Sequence, residues 1–87
     1  MDRYTVHQGQ QLGPILAGLR RARGMSQGDL ARALGVGKQA ISQLERFPEK
    51  ASLARLMRVL SALQVSLVLE HTASAAAEPT VGTDEDW

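Results

Sequence analysis

The sequence has 87 residues, no cysteine, one residue each of Trp, Tyr and Phe, and a formal net charge of +1. That length fits one small domain whose core gives modest stability, so a second copy of the chain would help. Lack of cysteine excludes disulfides and thiolate metal sites, two separated histidines make no metal pair, and nothing points to a cofactor.

No apolar run approaches the roughly 20 residues of a membrane span. The N-terminus lacks a basic-then-apolar signal pattern, which predicts a cytoplasmic protein with no membrane partner. The charge is uneven. Residues 1–71 hold all ten Lys and Arg against five acids, whereas residues 72–87 hold Glu78, Asp84, Glu85 and Asp86 and no base. A basic body suits a polyanion partner, and an acidic tail suits something else; simple solubility is the competing explanation.

Residues 1–10 form an N-terminal arm in which Arg3–Val6 favours extended backbone but is too short to decide between an arm and a paired strand. From Gln11 to Arg23, Leu12, Ile15, Leu16 and Leu19 follow helical spacing. Pro14 is tolerated there because the first turn has no intrahelical N–H bond to lose. Arg20, Arg21, Arg23 and Gly24 suit the helix end, and the arginines could serve either the dipole and Glu45 or a phosphate.

Ser26-Gln27-Gly28-Asp29 is a capping-box pattern that starts a second helix. It leaves Gln27 at a helix N-terminus, able to meet a phosphate. Ala31, Gly35 and Ile41 then stand at helix-turn-helix separations: a small residue where helices cross, a glycine for the turn, and an apolar anchor on the next helix. Leu30, Leu34, Val36 and Leu44 complete the apolar underside. Gly37 is the expected N-cap of the third helix, whose first turn carries Lys38, Gln39 and Ala40. In such docking these positions reach base edges in the major groove. Gln39 suits adenine, Lys38 guanine or phosphate, and Ser42 either strand, while Gln43 and Arg46 lie nearer the backbone.

Pro48 ends that helix. A further helix is expected from Ser52 to Leu63, with Leu53, Leu56, Met57, Leu60 and Leu63 on one face, as core or partly as a dimer contact. Val65–Glu70 favours a strand with Val65, Leu67 and Leu69 on one side. Its unpaired edge could pair with the same strand of a second subunit in a C2 homodimer, with Arg3–Val6 of its own chain, or continue as helix. Residues 72–87 have a composition expected to be disordered when free, with Trp87 a candidate docking anchor.

Through Leu19-Arg20, Ser26-Gln27, Leu30-Ala31, Leu34-Gly35-Val36, Ile41-Ser42 and Glu45, residues 12–63 resemble the Xre/Cro-type helix-turn-helix family. The helix-strand order of Leu53–Glu70 and Trp87 extend the likeness to HipB-type antitoxins. The resemblance implies an all-α fold of four to five helices with a short C-terminal strand over 65–70, a domain over 11–71 and a flexible acidic tail over 72–87. It further implies a dimeric repressor at palindromic operator DNA, associated with the bacterial nucleoid, that neutralises a HipA-type serine/threonine kinase toxin. By position it assigns Gln27, Lys38, Gln39 and Ser42 to DNA and Trp87 to the kinase. Gly37 departs from the family's usual polar residue, so a cap or contact is missing. Two other readings fit the residues: a stand-alone Cro-like repressor, and a protein-interaction module without DNA readout. No nucleophile–base set or phosphate loop suggests an enzyme.

Overall fold

The computed structural model describes residues 3–71, and among these the fold is all-helical. A 3-10 turn (Gly9–Gln11) leads into α1 (Leu12–Ala22), followed by α2 (Gln27–Leu34), α3 (Lys38–Arg46), a second 3-10 turn (Pro48–Lys50) and α4 (Leu53–Ala62). Leu16 from α1, Leu30, Ala31 and Leu34 from α2, Ile41 and Leu44 from α3, and Val59, Leu60 and Leu63 at α4 share one core. Ala31 is fully buried, so α2 and α3 approach with no bulky side chain between them.

Starts and stops follow local chemistry. Ser26 Oγ accepts from the Asp29 N–H at 3.0 Å and the Asp29 carboxylate accepts from the Ser26 N–H at 2.9 Å, the reciprocal box that opens α2. Ser52 Oγ accepts from the Arg55 N–H at 3.0 Å and opens α4. Gly37 caps α3 with no side chain, as expected of glycine at that position.

Three helices stop in one way. Gly24, Gly35 and Gln64 adopt left-handed backbone after α1, α2 and α4. The next residue's N–H then reaches back to a helical carbonyl: Met25 to Arg20 at 3.1 Å, Val36 to Ala31 at 3.0 Å and Val65 to Leu60 at 2.9 Å. Each of those next residues is apolar and packs on the core, which is the Schellman ending with its hydrophobic contact. Gln64 performs with a side chain what glycine does freely (φ 59°). Gln64→Gly is therefore expected to raise stability by about 0.5–1 kcal/mol, seen as a higher midpoint in urea with an unchanged slope.

Gly13 is the other glycine that matters. A Cβ there would strike the Glu45 carbonyl oxygen, because α1 lies directly on the end of α3. Gly13→Ala is expected to cost about 1–3 kcal/mol despite its better helix propensity, measurable by thermal unfolding.

One expectation needs correction. On α4 the inward stripe is Leu56, Val59, Leu60 and Leu63, whereas Leu53 (66% exposed) and Met57 (44% exposed) face out. The strand expected over 65–70 is one that pairs with a second copy, and among the described residues of the single chain no strand occurs. Val65 is half-buried and packs on the core, while Leu67, Val68 and Leu69 are exposed, Leu69 by 89%. Arg3 and Glu70 do come together in an exposed ion pair at 3.1 Å, worth little in stability. Arg3–Val6 carries no regular structure.

Candidate nucleic-acid interface

The geometry of α3 follows from its two faces. At about 100° per residue, Lys38, Gln39, Ser42, Gln43 and Arg46 fall on one arc of the helix, Ile41 and Leu44 on the opposite one, and Glu45 at the boundary beside Lys38. Ile41 and Leu44 are sealed in the core, while Lys38, Gln39, Gln43 and Arg46 are exposed and Ser42 and Ala40 half-buried. The short connection Gly35-Val36-Gly37 fixes the crossing of α2 and α3 through the left-handed Gly35 and the buried side of Val36. A rigid helix thus presents a row of amide, ammonium and guanidinium donors, and the hydroxyl of Ser42, without any disturbing the core.

Beneath this row lies a buried polar cluster. Arg20 of α1 donates through Nε to Glu45 Oε2 at 2.7 Å and through Nη2 to Oε1 at 3.2 Å, and its Nη1 reaches the Met25 carbonyl at 2.8 Å. Both side chains are only 8% exposed. Gln27 of α2 donates from Nε2 to Glu45 Oε1 at 3.0 Å. Glu45 therefore ties α1 and α2 to α3. Burial pushes its carboxyl up, but hydrogen bonds from Arg20 and Gln27 and the nearby Arg20 charge outweigh this and leave it below the usual carboxylate range. The same hydrogen bond to Glu45 raises Arg20, against the opposing effect of burial.

The alternatives for the first-helix arginines now divide. Arg20 is structural, and Arg21 and Arg23 remain exposed. Gln27 is half-buried with one amide N–H committed to Glu45, so its side chain works inward as well as lying at the α2 N-terminus. The sequence offered no signal for that bond, since its partners are eighteen residues apart. Arg58 of α4 holds the Leu34 carbonyl at 2.7 Å and so caps the far end of α2. Trp87 lies outside the described residues, as does the acidic tail over 72–87. Among the described residues no cluster of three or more His, Asp or Glu could hold a metal, and no helix is long and apolar enough to cross a membrane.

These features define a DNA-binding class of domain, and the comparisons agree. A helix-turn-helix family model matches residues 16–69, and the chain belongs to that family. Within the family it is similar to antitoxin HipB of Escherichia coli O6:H1 (strain CFT073), at 27% identity over 87 residues, spanning all of this chain and 93% of that protein. Antitoxin HipB of Escherichia coli K12 is 26% identical over the whole chain and 99% of its own length. Among solved structures, a HipB–O1–O2 complex superposes with a TM-score of 0.73 at 25% identity, covering 79% of this chain and all of that one. A HipA–HipB–O2–O3 complex superposes with a TM-score of 0.73 at 26% identity, covering 80% of this chain and 99% of that one.

Proposed function

We propose that the protein is the DNA-binding antitoxin of a HipBA-type module, a cytosolic binding protein rather than an enzyme. It represses from operator DNA and neutralises a HipA-type kinase. The observation that carries this reading is the end-to-end likeness to antitoxin HipB, with 100% of this chain aligned, over a scaffold whose recognition helix leaves Lys38, Gln39, Gln43 and Arg46 open. Lys38, Gln39, Ala40 and Ser42 would meet base edges, with Gln43, Arg46 and the α2 N-terminus at Gln27 on the phosphates. Two copies would join through residues 65–70, with Val65, Leu67 and Leu69 on one side and the exposed apolar row of Leu67, Val68 and Leu69 covered. Trp87 would anchor the kinase.

Binding to a duplex from upstream of the gene should weaken linearly in log–log against salt, by about 0.9 per phosphate neutralised, as read by fluorescence anisotropy. Half-sites should be about one helical turn apart, or a multiple of it. Affinity capture from native extract is expected to retain a kinase on the full chain and lose it from a chain ending at His71. Retention of no protein by either form, with DNA binding intact, would leave a stand-alone repressor.

A further inference from the structure

Beside the recognition helix, where α3 ends and α4 begins, runs an open groove of about 410 Å³ whose lining shares only Ala40 and Gln43 with the residues proposed to meet DNA. Its floor includes Leu44 and the Phe47 ring, and its rim carries Gln43, Lys50, Ser52 and Arg55. Phe47 is 39% exposed. Two cations flank its ring: Arg46 at 5.6 Å and Lys50 at 5.3 Å from the centroid. An aromatic floor under a basic rim fits a short acidic peptide that carries one large aromatic residue.

This chain contains such a peptide. Asp84-Glu85-Asp86-Trp87 joins three carboxylates to the chain's one tryptophan, and residues 72–87 hold no lysine or arginine to oppose the rim. Thirteen residue-to-residue steps separate His71 from Asp84, a reach of about 45 Å when extended. The described body is itself 45 Å in its longest dimension, comparable to that reach. We propose that the groove formed by Phe47, Lys50 and Arg55 is the docking site of this chain's own acidic segment around Trp87. Because Gln43 lines the groove and Arg46 flanks its aromatic ring, and both belong to the exposed row of α3, the docked segment competes with a phosphate backbone for Arg46. That competition rests on the proposed DNA role; the docking does not. Since Trp87 is also assigned to the kinase, the two occupancies exclude each other. With an effective concentration on the order of 1 mM for a tethered segment, an intrinsic affinity of about 0.25 mM weakens DNA binding about fivefold.

Trp87 is the reporter, since the chain has no other tryptophan. In the full chain its emission is expected to be blue-shifted and shielded from acrylamide relative to a synthetic peptide of residues 72–87. Both effects should vanish in Phe47→Ala and in Lys50→Glu/Arg55→Glu, surface changes that spare the core, and on addition of operator duplex. Neutralising the segment (Glu78→Gln, Asp84→Asn, Glu85→Gln, Asp86→Asn) is expected to raise duplex affinity about fivefold. Emission identical to the peptide's, protection that survives both groove variants, or protection lost on dilution would each overturn the proposal. Shielded Trp87 in a chain that binds no duplex would uphold the docking and overturn only the DNA-binding reading.

Discussion

Glu45→Ala is expected to lower unfolding free energy by about 3–5 kcal/mol, which in a domain this small is a fall in melting temperature of roughly 15 °C or more. The reason is what remains behind. Arg20 is as buried as Glu45, and without the carboxylate its guanidinium keeps only the Met25 carbonyl as a described partner. An unpaired buried charge costs far more than the pair contributes. Gln27 loses its acceptor in the same step. If the loss arises this way, Arg20→Met/Glu45→Leu should be less destabilised than Glu45→Ala, since no charge is stranded. A double variant worse than both singles would overturn the account. The pair also sets an acid limit. The folded-state pKa of Glu45 lies below its unfolded value, so its contribution is present above about pH 4.3 and is lost as pH falls through the folded value. Asp29 titrates in the same sense, held down by the Ser26 backbone N–H and hydroxyl and then by Arg32. Glu45→Gln should flatten the acid side of the stability profile, measured by urea unfolding between pH 3 and 7.

Gln39→Ala is expected to cost about 1–3 kcal/mol of specific DNA binding per half-site, and to relax base preference at one position. Gln39 is exposed in the first turn of α3 and packs against nothing in the core, so its removal should leave thermal stability unchanged. A dimer feels the loss twice. On random duplex the same variant should bind about as well as the parent, because phosphate contacts survive. Equal loss on specific and random DNA would show instead that Gln39 serves the backbone.

Much of this architecture is written in local punctuation. Pro14, the Ser26–Asp29 box, Gly35, Gly37 and Pro48 act on their own neighbours, so α1, α2 and α3 are legible from the sequence within a residue or so. The end of α4 carries Gln64 in a conformation that glycine usually marks, and no local signal announces it. The inward face of α4 is ambiguous for a different reason. Leu53, Leu56, Met57 and Leu60 form one helical stripe and Leu56, Val59, Leu60 and Leu63 another, and only the position of α2 chooses between them. The row of DNA-facing candidates was readable because it depends on spacing along one helix. The cluster beneath it was only half readable: Arg20 pairing with Glu45 was one of two options, and the Gln27 bond depends on two helices meeting. Residues 65–70 lack a strand partner in the single chain, and composition alone does not supply one.

The opposed faces of α3 have an evolutionary consequence. Ile41, Leu44 and Glu45 anchor the helix, and none of Lys38, Gln39, Ser42, Gln43 or Arg46 is needed for that anchoring. On the proposed reading, in which the outer face meets operator DNA, operator preference can drift by substitution there while the inner face keeps the domain folded, at little cost in stability for each step. Duplicated copies within one genome could part company in a few mutations, each acquiring its own regulatory target. For the same reason those outer positions are a natural place to randomise when selecting variants against new target sequences, and Gly37 adds a site where a polar cap could be restored.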